Sequence, residues 1–262
     1  MMDSLFAMFM GAKSVFVSSK NPIDRYVLVV DAGNTVIKWV VFCKESIVWR
    51  GCDNDIEGQP FDIDCIYFAS VRDDVSNTEL LNTINKKYPN VVCVTLDVQK
   101  RECNVENAYD EPYRLGIDRW LGVLSVYHQF NSAVVIVDAG TAIKIDVVNG
   151  EGKHLGGYIT PSSKMMEASL VENTGRIRFS EKDMDDVTGL PKNTGQAVRM
   201  GCNEMILGFI ERVLKRYSES KYVFTGGNGE YLMNQLMIDG LFDSDLVVKG
   251  AKLLGDARVI IR

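Results

Sequence analysis

From Tyr26 onward, short apolar runs rich in β-branched residues alternate with turn residues and with apolar positions at helical spacing, the signature of a mixed α/β architecture. Val27–Val30 reads as a strand, and Val36–Phe42 and Ser46–Trp49 follow it after a glycine turn and a Lys44-Glu45 turn as an antiparallel meander. Cys65–Ala69 predicts another strand. Ser76 with Glu79 predicts a capping box ahead of Leu80, Leu81, Ile84 and Tyr88, which fall on one helical face, and Val91–Thr95 predicts the strand that follows. Residues 97–112 read as a polar loop, and Trp120, Leu121, Leu124, Tyr127 and His128 mark a helix starting near Asp118. Residues 133–148 return to strand, glycine turn and strand, and later apolar stripes predict helices near 162–173, 194–217 and 228–238.

The second half repeats the first. Val27-Leu28-Val29-Val30-Asp31-Ala32-Gly33 aligns with Val134-Val135-Ile136-Val137-Asp138-Ala139-Gly140, an offset of 138 − 31 = 107 residues. Omitting Asn34 then pairs Thr35-Val36-Ile37-Lys38 with Thr141-Ala142-Ile143-Lys144. One strand ending in Asp-Ala-Gly is unremarked by chance; the same strand, turn and strand a domain-length apart argues for two related lobes. The expected organisation is an N-terminal extension over 1–25, a first lobe over 26–131 and a second over 132–262, the last helix being a candidate to pack back on the first lobe.

Composition narrows the partners. The 262 residues carry 29 basic and 35 acidic side chains, a net charge of −6, which creates no broad positive field for a nucleic-acid backbone. No apolar run approaches the ~20 residues of a membrane helix, and Leu5–Met10 lacks the basic flank and cleavage site of a secretory signal. The six cysteines contain no Cys-x-x-Cys pair and stand mostly in apolar runs, as free thiols do in a reducing cytosol, so neither a zinc site nor a disulfide framework is expected.

An aspartate and a glycine at the end of a hydrophobic strand provide a fixed carboxylate and unobstructed backbone amides, which suit phosphate oxygens and a hydrated cation. Two such turns, with hydroxyls from Thr35 and Thr141, could hold a polyphosphate. Taken singly, Asp-Ala-Gly is equally a good hairpin turn. Walker, dinucleotide-binding and serine-nucleophile glycine motifs do not occur. Asp53, Asp55, Glu57, Gly58 and Asp64 fit some positions of a calcium loop, but Asp at position 12 and Pro60 at position 8 favour an exposed acidic connection.

Taken in order, Asp31-Ala32-Gly33-Asn34-Thr35, Gly116-Ile117-Asp118-Arg119 and Asp138-Ala139-Gly140-Thr141 resemble the motifs of a type III pantothenate kinase. Tyr109, nine residues before Asp118, strengthens the resemblance, as do Gly156-Gly157-Tyr158-Ile159-Thr160-Pro161, Asn193-Thr194 with Ala197 and Gly201, and Thr225-Gly226-Gly227. The resemblance spans residues 26–262 and implies two ribonuclease-H-like lobes of the actin-like/sugar-kinase-like (ASKHA) fold in a homodimer, for which the cysteine usage predicts a cytoplasmic location. The implied reaction transfers the γ-phosphoryl group of ATP to the primary hydroxyl of pantothenate, the first step toward coenzyme A.

By the same resemblance, Asp31, Ala32, Gly33, Asn34, Thr35, Val36, Ile37, Lys38 and Thr141 would bind ATP, Asp31 organising magnesium, directly or through water. Asp138 would bind a monovalent cation, potassium or ammonium. Tyr109, Gly116, Ile117, Asp118, Arg119 and Thr194 would bind pantothenate, Arg119 pairing with its carboxylate and Asp118 acting as general base. Read without the family, Asp118 is also a natural helix N-cap, Arg119 a surface cation and Tyr109 a packing residue. His154 reads as a surface residue, and Met165-Met166 and Met233-Met237 as helix packing. Two positions depart from the family pattern. Ser162 replaces a usual glycine, and Ile143-Lys144 replaces usual threonines, placing a long cation near Asp138 unless strand alternation turns it away. The competing functions are a non-catalytic nucleotide-binding regulatory relative and a kinase of another small hydroxyl compound.

Overall fold

The computed structural model describes residues 25–184 and 189–259, so the expected extension lies outside the described residues except for Arg25. Two five-stranded sheets dominate, and both have the same strand order. In the first, β1 (Tyr26–Ala32), β2 (Ile37–Cys43) and β3 (Ser46–Cys52) form the expected antiparallel meander, and β4 (Cys65–Ser70) and β5 (Val92–Thr95) add in parallel beyond β1, giving the order β3-β2-β1-β4-β5. Val27 to Val30 are all buried, as a central strand covered on both faces requires. Helix α1 (Asp74–Lys87) sets Leu80 and Ile84 on one face of this sheet, against Leu28, Val30, Ile66 and Phe68. Its N-cap is Asp73, whose carboxylate accepts the amides of Val75 and Ser76; the expected Ser76 and Glu79 box starts three residues too late.

The acidic connection after β3 is a 3-10 turn over Asp53–Gly58. Its carboxylates serve the backbone: Asp53 accepts the Ile37 amide at 3.0 Å, Asp55 the Cys52 amide at 2.8 Å, and Asp64 the Tyr26 amide at 2.9 Å. The expected loop over 97–112 contains a small hairpin, β6 (Arg101–Glu102) and β7 (Val105–Glu106). Helix α2 (Ile117–Phe130) then ends at Asn131 in the left-handed conformation, whose amide donates to Tyr127 O.

The second sheet repeats the first in the order β10-β9-β8-β11-β12. Strands β8 (Val134–Ala139), β9 (Ala142–Val148) and β10 (His154–Pro161) form the antiparallel meander, and β11 (Lys221–Thr225) and β12 (Leu241–Phe242) extend it in parallel. Helices α3 (Ser163–Asn173), α4 (Thr194–Arg216) and α5 (Gly229–Gln235) follow the predicted stripes closely, and α6 (Leu246–Arg258) closes the chain. Ile206, Ile210 and Val213 of α4 and Leu232 of α5 pack on Val135, Val137, Ile143 and Ile145, while α2 packs on β8 and β9. Met166 and Met233 join this core, whereas Met165 and Met237 are exposed. No helix among the described residues is long and apolar enough to cross a membrane.

Packing divides the described residues into two compact units, those up to 97 together with 251–259, and 98–250. The sheets follow the sequence repeat, while the packing boundary places α2 with β8 and β9.

Candidate active site

Strand alternation builds the site in the 98–250 unit. Val135, Val137 and Ala139 of β8 and Ile143, Ile145 and Val147 of β9 face the α4 side, so period two turns Asp138, Lys144 and Asp146 to the other face. Asp138 and Lys144 are direct cross-strand partners, and Asp146 pairs with Ile136 one step along. The start of α2 brings Asp118 and Arg119 onto this row, and two ion-pair systems result.

In the first, Lys144 Nζ lies 2.8 Å from Asp118 Oδ2 and 2.6 Å from Asp138 Oδ2. The other oxygen of Asp118 accepts the Arg119 amide at 2.8 Å. Burial opposes the Lys144 charge, but the Asp138 and Asp118 carboxylates together outweigh it and hold the ammonium above the ordinary lysine range.

In the second, Arg119 Nε and Nη2 donate to the two oxygens of Asp146 at 2.9 and 2.7 Å, and Nη1 donates to the Tyr109 hydroxyl at 3.0 Å. His154 Nε2 lies 2.9 Å from the same Asp146, the tautomer following from that contact, and its ring stacks on Tyr109 with centroids 6.5 Å apart. Arg119 is 6% exposed and stays charged because the Asp146 hydrogen bonds and charge overcome its desolvation.

Two glycines make room for these pairs. Gly157 sits opposite Asp146 in β10, and a Cβ there would collide with the Ile145 carbonyl and stand 2.5 Å from Asp146 Oδ1 and 2.7 Å from Arg119 Nη2. Gly226, at φ +82, follows Thr225, the parallel partner of Asp138; a Cβ there would stand 2.6 Å from Asp138 Oδ1.

Several expectations change. His154 is fully buried, not a surface residue, because the rings of Tyr109 and Trp120 pack beside it and its Nε2 meets Asp146. Arg119 is not a surface cation, and Tyr109 binds it directly. Asp118 is not the N-cap: Gly116 holds that position, its carbonyl accepting the Trp120 amide at 3.1 Å, which leaves the Asp118 carboxylate for the ion pair. Lys144 points toward Asp138. Ser162 caps α3 with extended backbone (φ −71), so the missing glycine costs no left-handed conformation.

The remaining predicted residues fall into three places. In the other unit, Asp31 faces Lys38 across β1 and β2 in the register that Asp138 and Lys144 share, and the Gly33 amide closes the turn onto Val36 O at 3.1 Å. Ala32 is buried, while Asn34, Thr35 and Val36 are exposed and Ile37 anchors the turn to Asp53. Thr141 is exposed at the second turn, where the Gly140 amide donates to Ala142 O at 3.2 Å. Ile117 is buried beneath the start of α2, so its side chain lies in the core. Thr194 is exposed on the first turn of α4, capped by Asn193, and no hydrogen bond among the described residues joins it to Tyr109, Asp118 or Arg119.

Sequence reasoning missed Asp146 and His154. The signal for Asp146 was its place two residues after Lys144, an acid between Ile145 and Val147 in a strand buried on both sides.

Twice-repeated 3-2-1-4-5 sheets, each ending its first strand in Asp-Ala-Gly, define a protein of the actin-like/sugar-kinase-like (ASKHA) fold. A crystal structure of a candidate Baf family transcriptional activator from Campylobacter jejuni shares this fold with a TM-score of 0.59 at 23% identity, over 87% of this chain and 97% of that one. The family model for type III pantothenate kinase matches residues 27–216. The chain belongs to the type III pantothenate kinase family, and is a kinase. It is 47% identical to the type III pantothenate kinase of Marinomonas sp. (strain MWYL1) over 90% of this chain and 98% of that protein, and 34% identical to the one from Pseudoalteromonas translucida (strain TAC 125) over 85% and 93%.

Proposed function

We propose that this chain phosphorylates pantothenate with ATP to give 4'-phosphopantothenate, with Asp118 as general base and Arg119 as the group that receives the substrate carboxylate. The observation carrying the reading is that Asp118 and Arg119, adjacent in sequence, are each fixed by a separate charged partner, Lys144 and Asp146. A loose phosphoryl-transfer transition state asks mainly for positioning and charge neutralisation, so what matters most at Asp118 is where its carboxylate is held.

Each part follows from the donors available. Arg119 has five N–H groups, of which three are engaged by Asp146 and Tyr109, leaving two for a carboxylate. Because Asp146 neutralises it, Arg119 contributes directed hydrogen bonds more than net attraction. Asp118 Oδ2 keeps a second lone pair beside its Lys144 bond, enough to take the hydroxyl proton as the substrate oxygen bonds to the γ-phosphorus and the bond to the ADP oxygen breaks.

The ATP phosphates belong, in this reading, to the 31–38 turn and Thr141, with Lys38 supplying positive charge. A magnesium ion keeps most of its waters and needs one or two carboxylates, which suits Asp31 at the end of β1. When bound it neutralises phosphate charge. Thr194 would complete the pantothenate contacts, and the exposed Leu155, Tyr158 and Ile159 on edge strand β10 support a homodimer, which light scattering tests.

The deciding experiment is coupled ADP release with protein, MgATP and pantothenate, and pantothenate omitted as control. ADP release that depends on pantothenate is expected; a folded preparation without it would refute the reading.

A further inference from the structure

We propose that the Lys144 ammonium takes the place of the monovalent cation that the family resemblance implies at Asp138, so that this enzyme turns over without potassium or ammonium. The inference rests on the kinase reading and departs from the family at one residue.

The Asp138 carboxylate does not fit a resident metal ion well. Its Oδ2 lies 2.6 Å from Lys144 Nζ, so an ammonium already stands where a cation on that oxygen would sit. The ammonium is not a passing contact. Lys144 is held in register directly across from Asp138 by the β8–β9 pairing, both side chains are about four-fifths buried, and the same Nζ bonds Asp118 at 2.8 Å. A potassium ion on Asp138 would therefore have to share its carboxylate with a positive charge that cannot swing away without also abandoning Asp118.

The substitution balances in charge. A bound monovalent cation and a lysine ammonium each add one positive charge beside Asp138, but the ammonium is covalently tethered and needs no ion from solution. It also reaches farther than a cation held by Asp138 alone, because one Nζ joins the strand-end carboxylate to the proposed base. The threonines usual in the family could not span that distance with a charge.

The test uses the full chain in buffers whose potassium and ammonium are replaced by tetramethylammonium. ADP release with MgATP and pantothenate is first measured with potassium present, which establishes the kinase reading independently. The expected result is the same rate when potassium is withdrawn. Lys144→Thr should lose about 10²-fold or more without potassium and regain part of it with potassium. A second readout is thermal unfolding: potassium should leave the wild-type midpoint unmoved and raise that of Lys144→Thr, or of Lys144→Gln if the threonine variant does not fold. A wild-type rate that collapses without potassium, or a wild-type midpoint that potassium raises, would overturn the proposal. The thermal arm decides even if pantothenate proves not to be the substrate.

Discussion

A guanidinium that is only 6% exposed keeps its charge because Asp146 meets it with both oxygens, so Arg119 and Asp146 stand or fall together. Asp146→Asn would leave the arginine charge uncompensated, and breaking one side of such a pair costs about 3–5 kcal/mol, to be read as a lower urea midpoint. Gly157→Ala isolates position from charge. Its Cβ would press on Arg119 Nη2, Asp146 Oδ1 and the Ile145 carbonyl while removing no ionisable group. The expected outcome is a pantothenate KM raised about tenfold or more with a smaller change in kcat, since a displaced binding group is felt mainly in binding. Asp118→Asn should instead lower kcat by about 10²–10⁴-fold, and a near-normal kcat would remove it from the chemistry. Asp118 and Arg119 were legible because they sit together in a short motif. His154 was not, because its partners are set by the register of β10 on β9, and Asp146 showed only as an acid within an apolar strand, with nothing local to name Arg119 as its partner.

At the scale of elements, the strands and helices with continuous apolar runs or clean stripes were legible to within a few residues, including β1, β2, β4, β8, β9 and α4. Strand β10 was harder to see: Gly156, Gly157 and Pro161 are poor strand residues, and they are tolerated because β10 is an edge strand bulged between His154 and Gly156. Helix α6 hides in the same way. Gly250 and Gly255 weaken its intrinsic propensity, yet each is demanded by packing. A Cβ on Gly250 would stand 2.6 Å from the Leu121 carbonyl carbon of α2, and one on Gly255 would enter the fully buried ring of Tyr67. Gly255→Ala would gain helix propensity worth about 1 kcal/mol and lose more to overpacking, which costs about 1–3 kcal/mol, so the net expectation is a lower urea midpoint. A stabilised variant would mean that Tyr67 can move aside.

Across the whole molecule, the duplication was legible because both copies kept the strand, the Asp-Ala-Gly turn and the cross-strand lysine, and the two sheets do repeat one topology. The packing boundary was not, since α2 packs with β8 and β9 and residues 251–259 join the unit of residues up to 97, a return expected only as a candidate for the last helix. That unit also concentrates buried acids that must stay neutral. Burial pushes the Cys93 thiol from 9.0 up to about 11, burial raises Cys65 despite Arg25 nearby, and burial with the Asp256 carboxylate raises the Tyr67 hydroxyl, which donates to Asp256 at 2.7 Å. Each group is protonated longer in the folded chain than in the unfolded one. The unfolded chain therefore binds fewer protons above pH 9.0, and the slope of stability against pH is negative there. The contribution of Cys93 is complete below pH 9.0 and is lost as pH rises toward about 11. Lys144, raised from 10.5, acts in the same direction at higher pH, because its ammonium too is retained by folding. The thermal midpoint should accordingly fall across this range, and Cys93→Ala should flatten the early part of the fall. A midpoint unchanged through that window would mean that the thiol ionises without opening the sheet, and that β5 lies more open to water than its packing against β4 allows.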